Sequence, residues 1–567
     1  MYSQYMEKKT NTEKRNNKMN AVLVGIAGSH NAFSLSLYNL KAYAYQNSGI
    51  RKNWKISVIQ HPLINFGEER DKKKLNNLLN EIISKKPNLV GFSCYMWNID
   101  CFFKIAANLK KKLANTKILF GGPEIATEYV ENSYFNKYEI DYCASGEGEL
   151  TFLELLKHLE SGKPELYDID GLSHRSNTKI PFIINSKRKP FKSLSEIPSP
   201  FLGGIVDEDV LTRDGVIANL ETQRGCNLRC SYCIYHKDMD RVSYSEIDRI
   251  IKEVRYVTDR GVKKIRFVDA NFGSNKDHAK LVMKGLIKEK FETGLFFELI
   301  PGFIDEELAA LFGEYTKLHP QNQIMIGVGV QTINLKVLKL MRRSIRKEKF
   351  EKTFKLLQKH NIYTKIDLII GLPDESLSSI EETLEYMIDQ LRGSRAHQLC
   401  CHVMRGLPGT ELMEIAKKKN MVFSSKYAPH ELIESAALPR ADMLKSLRRT
   451  GVLFRLINHA GWADRRFMWG KTSKKTNIRD LFFETKDRLS VSNVELIDLI
   501  IEKLIKHLEP VKSWFSMPDF PYAERWWWNH SSREITNEWL IDCLSNPEEL
   551  VPIIKFLRQE KRIKSST

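Results

Sequence analysis

The sequence predicts an α/β chain in three parts: a Rossmann-like, doubly wound parallel sheet, then a partial (β/α)6 barrel, then a mainly helical C-terminal domain. Three observations predict it. Short apolar runs alternate with helical periodicity from residue 20 to about residue 165. The alternation restarts at Val216 and continues to about residue 425. Beyond that point the sequence becomes charged and helical, interrupted by Trp526-Trp527-Trp528.

Each element follows from its residues. Residues 1–19 are polar and of mixed charge, a flexible tail without the apolar segment of a secretory signal. Ala21–Ile26 is a buried strand ended at Gly28-Ser29-His30, and Ala32–Ala44 has helical spacing. Strands are predicted at Lys55–Gln60, Leu89–Ser93, Lys117–Phe120 and Asp141–Ala144, with helices such as Leu75–Ser84 and Ile105–Leu113 between them. Residues 20–165 therefore form the first domain, and its ligand face is the carboxyl end of the strands. Those ends read Gly25–Asn31, Phe92–Asn98, Gly121–Glu124 and Ser145–Glu149. Residues 166–212, punctuated by Pro181, Pro190, Pro198 and Pro200, are a linker with a hairpin.

The barrel occupies residues 213–425. Its strands are Ile217–Thr222, Lys264–Asp269, Leu295–Ile300, Ile324–Val330, Thr364–Ile370 and Gln398–Met404, separated by helices such as Tyr244–Arg260 and Ser376–Leu391. Chemistry on such a barrel sits on its C-terminal face. Residues 426–567 form the helical domain.

Composition bounds the function. The chain has 567 residues, 42% of them apolar, so it can bury several cores, and no run approaches the ~20 apolar residues of a membrane helix. A net charge of +18 favours anionic partners without naming one. The charges are interspersed, and no nucleic-acid-binding module is evident. Nine cysteines, an odd number, argue against a disulfide framework. A cytoplasmic enzyme is expected. Cys94, Cys101, Cys143, Cys400, Cys401 and Cys543 are scattered and read as core filler. Cys226, Cys230 and Cys233 are not scattered: they fall within eight residues, as C-x3-C-x2-C, directly after the first barrel strand. Three thiolates on one loop can ligate three irons of a [4Fe–4S] cube and leave the fourth open. The alternative is a zinc site with His236 as fourth ligand.

The triad, with Tyr232 in the aromatic place, resembles the signature of the radical S-adenosylmethionine (SAM) enzymes. That resemblance implies a [4Fe–4S] cluster on Cys226, Cys230 and Cys233, SAM chelated to the unique iron, and reductive cleavage to a 5′-deoxyadenosyl radical. It also implies SAM contacts from Asp269, Glu298 and Gln331 and close backbone approach at Gly371. The first 165 residues resemble the cobalamin-binding domain that precedes the barrel in B12-dependent members. Ser93, Gly121, Gly122, Gly146 and Glu147 would line the corrin, with Tyr95 and Trp97 against it. The usual D-x-H-x-x-G signature is absent; His30 is present without its aspartate and glycine. His30 is therefore a candidate lower cobalt ligand, with a plain loop histidine as the alternative.

The resemblance implies a methyltransferase acting on an unactivated carbon of a small-molecule or peptide substrate, supplied with electrons by a donor such as flavodoxin or ferredoxin. Rearrangement or cyclisation is the alternative within the family. A methylthiotransferase with a second cluster on Cys94, Cys101 and Cys143 lacks the first expected cysteine, near residue 30. A non-catalytic cobalamin- or nucleic-acid-binding regulator would not need the intact triad.

Overall fold

The computed structural model describes residues 18–508, apart from 28–31, 62–68, 132–133, 178–179, 236–238, 240, 319–323, 344–345, 393–396, 424–429 and 463–477, together with Ile554. The described residues fall into two compact units, one from residues up to 27, 34–189 and 197–205, the other from the remainder.

The first unit is built on strands β1 (Met19–Ile26), β2 (Trp54–His61), β3 (Leu89–Ser93), β4 (Lys117–Gly121), β5 (Tyr142–Ala144), β6 (Leu172–His174) and β7 (Ile183–Ile184). They lie in the order β2-β1-β3-β4-β5-β6-β7. The first five are parallel and the last two antiparallel. A parallel sheet needs cover on both faces, and β3 is buried at all five positions. One face packs Leu23, Leu37, Trp54, Leu119 and Phe152. The other stacks Phe92, Phe102, Phe103 and Phe120. Part of the segment read as a linker adds β6 and β7 to this sheet. The turn into β6 requires Gly171, whose φ of +75° leaves a Cβ only 2.9 Å from the Ser145 carbonyl.

The second unit carries β8 (Ile217–Leu220), a small antiparallel pair β9 (Gln223–Arg224) and β10 (Ser243–Tyr244), then β11 (Lys264–Phe267), β12 (Gly294–Leu299), β13 (Ile324–Gln331), β14 (Tyr363–Ile370) and β15 (His397–Val403). The main sheet is parallel, in the order β15-β14-β13-β12-β11-β8. Its edges β8 and β15 do not pair with each other, so the barrel is open.

Alternation along the strands divides this sheet into two faces. Phe267 and Phe297 stack at 4.8 Å and pack with Phe272 and Phe312, the latter on helix Glu306–Leu318. That face packs against a helix. The opposite set holds Arg266, Phe296, Glu298, Met325, Tyr363, Lys365, Asp367, Cys400 and His402, paired across neighbouring strands by the register Glu298↔Gly327↔Lys365 and Asp367↔Cys400.

Helix Arg440–Trp462 packs against β15 and against helices Ile478–Leu489 and Asn493–Leu508. Arg449, 2% exposed, ties the first of these helices to the last and to helix Leu377–Gln390: it donates to Asp498 at 2.6 and 2.7 Å and to Glu381. The described part of the C-terminal region is thus continuous with the barrel. Trp526, Trp527, Trp528 and Cys543 lie outside the described residues.

Candidate functional site

The cysteine loop leaves the C-terminal end of β8. Gly225, at φ +90°, turns it; a Cβ there would lie 2.5 Å from the Arg241 carbonyl, so only glycine fits. Cys226 and Cys230 are buried and Cys233 is half-buried. Burial pushes the Cys233 thiol up to about 11 and the Cys226 thiol up as well. Their thiolate forms therefore call for positive charge nearby. Among the described residues no three His, Cys, Asp or Glu side chains converge on a single ion. A cube that takes one thiolate per iron fits the loop better than one zinc ion does, and His236 lies outside the described residues.

Asp269, expected to face SAM, is 2% exposed and turned to the start of this loop. Its Oδ1 accepts from the Thr222 and Gln223 amides at 2.8 and 3.0 Å, and its Oδ2 from the Thr222 hydroxyl at 2.6 Å. Burial lifts its carboxyl to about 7. Two residues on, Asn271 is fully buried and both atoms of its side-chain amide lack a partner. Such a group is costly unless a ligand completes it. Asn271 went unnoticed in the sequence because Asp269 is the more conspicuous polar residue in the same run.

Glu298 lies across Gly327, where a Cβ would come within 2.3 Å of its carboxylate, and Arg266 stands 3.7 Å away. Burial pushes its carboxyl up. Gln331 ends β13 at a register shift, at φ +73° and with an unpartnered Oε1. A non-glycine residue held there is strained, as positions at functional sites often are. Gly371, at φ +86°, packs against Leu432 so tightly that a Cβ would sit 2.4 Å from it. Glu375 accepts from the Gly371 and Leu372 amides at 3.1 and 3.2 Å and fixes that turn; burial lifts its carboxyl to about 7.

The opposite face of the sheet, where Phe296, Met325 and Tyr363 are buried, carries a second polar group that sequence reading missed. Asp367 Oδ1 bonds His402 Nε2 at 2.9 Å and Lys365 Nζ at 3.1 Å. Against the cost of burial, Lys365 holds the Asp367 carboxyl below its ordinary range.

In the first unit, Ser93, Gly121 and Ala144 are in register at the strand ends. Cys94 N donates to Gly121 O at 2.6 Å, and Gly122 (φ +102°) passes so close that a Cβ would be 2.7 Å from the Cys94 carbonyl. Gly121 and Gly146 differ from it: a Cβ on Gly121 meets only Ala144 at 3.7 Å, and one on Gly146 meets nothing within 4 Å. At Gly121 and Gly146 this end of the sheet leaves space beside the backbone, as the close approach of a broad planar group would need. Tyr95 and Trp97 stack at 4.4 Å, and Trp97 Nε1 and Asn98 Nδ2 both donate to Ile26 O, bracing the β3 loop to the end of β1. Glu147 is buried. His30 lies outside the described residues. Cys94, Cys101 and Cys143 are core residues as expected; Cys400 and Cys401 are only half-buried.

Comparison with known proteins matches the Radical SAM superfamily model to residues 220–387 and the B12 binding domain model to residues 64–156. The cobalamin-dependent radical SAM methyltransferase TokK of Streptomyces tokunonensis is 27% identical over 312 residues, 54% of this chain and 45% of TokK. The chain thus spans less than half the length of that relative. Among solved structures, the cobalamin-dependent SAM radical enzyme OxsB with aqua-cobalamin superimposes with a TM-score of 0.60 at 15% identity, over 95% of this chain and 81% of OxsB. The methyltransferase TsrM of Kitasatospora setae gives 0.55 at 18%, over 72% and 78%. These two likenesses concern the fold. The cofactors that accompany the two domain models are a [4Fe–4S] cluster with SAM, and cobalamin. The triad falls within the first of these matches and the glycine-edged strand ends within the second, so the chain joins a B12 binding domain to a radical SAM domain, the pairing found in cobalamin-dependent radical SAM enzymes.

Proposed function

We propose that the chain is a methyltransferase acting on an unactivated carbon of a small-molecule or peptide substrate, with an external one-electron donor. The observation that carries this reading is the presence in one chain of the buried cysteine loop and the open glycine edge. When bound, the cofactors supply a carbon-centred radical and a transferable methyl group, the two reagents needed by a carbon with no lone pair. The protein does the rest. Cys226, Cys230 and Cys233 would hold the cluster; Asp269 sets the loop by fixing Thr222 and Gln223. The unpartnered amide of Asn271, with Glu298 and Gln331, would bind the polar groups of SAM, and the Gly371 turn tied by Glu375 would lie along its base. Ser93, Gly121, Gly146 and Glu147 would border the corrin, beside the Tyr95–Trp97 stack. The face bearing Lys365, Asp367 and His402 is left for the substrate. Among the described residues no helix is long and apolar enough to cross a membrane.

Anaerobically purified protein should contain about four iron atoms and one corrin. Incubated with reductant, methyl-labelled SAM and candidate substrates, it should yield 5′-deoxyadenosine, S-adenosylhomocysteine and a labelled product. An unlabelled, isomeric or cyclised product would overturn the methyltransferase reading. The glycines separate fold from binding. Gly121→Ala should fold normally and weaken hydroxocobalamin binding by about tenfold, on the order of 1.4 kcal/mol. Gly122→Ala should lower the melting temperature itself, because its backbone disfavours any side chain by about 1–2 kcal/mol before the clash is counted. Unchanged corrin affinity in Gly121→Ala would remove this strand end from the site.

A further inference from the structure

Arg343 follows helix Leu335–Leu340 and is 8% exposed. Its Nη1 donates to Cys230 Sγ at 3.5 Å and to the Tyr232 hydroxyl at 2.9 Å, and its Nη2 to the Gly329 carbonyl. Its Nε has no partner. The surrounding chain clamps the same spot: Ser231 N donates to Met341 O at 3.2 Å, and Leu412 N to Ser231 O at 2.8 Å. A guanidinium is charged under all ordinary conditions, and burying it is expensive without an anion. No carboxylate bonds to Arg343 among the described residues; its acceptors are a thiol, a phenol and a carbonyl. A neutral set of this kind leaves the charge unbalanced. A thiolate-ligated iron cluster, anionic overall, would balance it.

Resting on the reading that Cys226, Cys230 and Cys233 hold a [4Fe–4S] cluster, we propose that Arg343 is a positioning residue that raises the cluster's reduction potential through its N–H···S bond to Cys230, with the Tyr232 hydroxyl holding the guanidinium in place. The step concerned is [4Fe–4S]2+ + e− → [4Fe–4S]+. The electron comes from an external donor, no bond forms or breaks and no proton moves. Reduction adds one negative charge, which a buried cation stabilises, and a hydrogen bond to the thiolate withdraws density from the iron. Arg343 lies 113 residues from Cys230, so no local motif links them.

The test uses the full chain with its cluster reconstituted anaerobically from iron and sulfide, without SAM or substrate. Dithionite with redox mediators sets the potential, and EPR of the reduced cluster gives the midpoint. Arg343→Gln should titrate at a lower potential, so that where half of the wild type is reduced the variant's reduced fraction is several-fold smaller. Tyr232→Phe should shift the same way by less, and the double variant no further than Arg343→Gln, because the hydroxyl acts through the guanidinium. Arg343→Lys, which keeps the charge, should recover most of the wild-type midpoint. Arg343→Gln and Tyr232→Phe with full iron content and wild-type midpoints would overturn the proposal. Should Arg343→Gln lose its fold or its iron, Tyr232→Phe decides alone, since it removes one oxygen from a half-buried ring. A wild-type chain that takes up no four-iron cluster would overturn the cluster reading itself, a result distinct from an unmoved midpoint.

Discussion

Replacing Cys226, Cys230 or Cys233 by Ala is expected to reduce 5′-deoxyadenosine formation to the assay background, while hydroxocobalamin binding stays within about twofold of wild type. Under the proposed reading each thiolate would ligate a different iron, so the loss of any one leaves the cube under-ligated. The proposed corrin site should be spared because Ser93, Gly121 and Gly146 belong to the other compact unit, with its own core. Iron content and SAM cleavage should fall together in all three variants. Ordinary cleavage activity in any one of them would sink the assignment of the triad.

Asp269→Ala should be the most damaging substitution outside the cysteines. It strips the acceptor from two buried amides and a buried hydroxyl at once, and each orphaned group costs about 1–3 kcal/mol. A sharp drop in melting temperature and in iron uptake is expected. Asp269→Asn is expected to be mild near pH 5, since its oxygen keeps both amide bonds and its nitrogen can donate to the Thr222 hydroxyl. The pH dependence has a definite sign. The folded carboxyl titrates at about 7, above the ordinary aspartate value, because it is buried. Between about pH 4 and 7 the folded state therefore holds more protons than the unfolded one, and wild-type stability falls as pH rises through that window. Asparagine has no proton to lose, so its stability relative to wild type should improve by up to about 1.4 kcal/mol per pH unit until pH 7 and then level off. Denaturant unfolding at several pH values reads this directly; a difference that does not change with pH would show that Asp269 is ionised throughout.

The strands of both sheets were legible because their runs are apolar and regularly spaced, and the triad because three cysteines within eight residues suit a metal centre far better than a core. What escaped is set by distance along the chain. Whether Asp269 remains open to a ligand depends on Thr222, 47 residues earlier. Arg343 gives no sign of its partner, and its neighbours in sequence read as an ordinary basic surface. Two features did leave a trace. Glu375 follows Gly371 at a spacing that lets a carboxylate bond the preceding turn's amides, a local pattern like a helix cap. Lys365 and Asp367 alternate within an otherwise apolar strand, which sets the polar face of the sheet apart from the aromatic one. The linker's hairpin was legible, but its joining to β5 was not: strands of two or three residues, such as β7, carry too little periodicity to announce the sheet they extend.

The division of the barrel sheet into two faces separates two kinds of evolutionary constraint. Phe267, Phe297 and Phe312 hold the strands to their helices from one side, so a change there is felt in folding. Lys365, Gln398 and His402 on the other side support none of that packing. A lineage that keeps a cationic partner for the buried Asp367 can therefore vary this face without loosening the aromatic packing, and under the proposed function such changes would alter the substrate accepted.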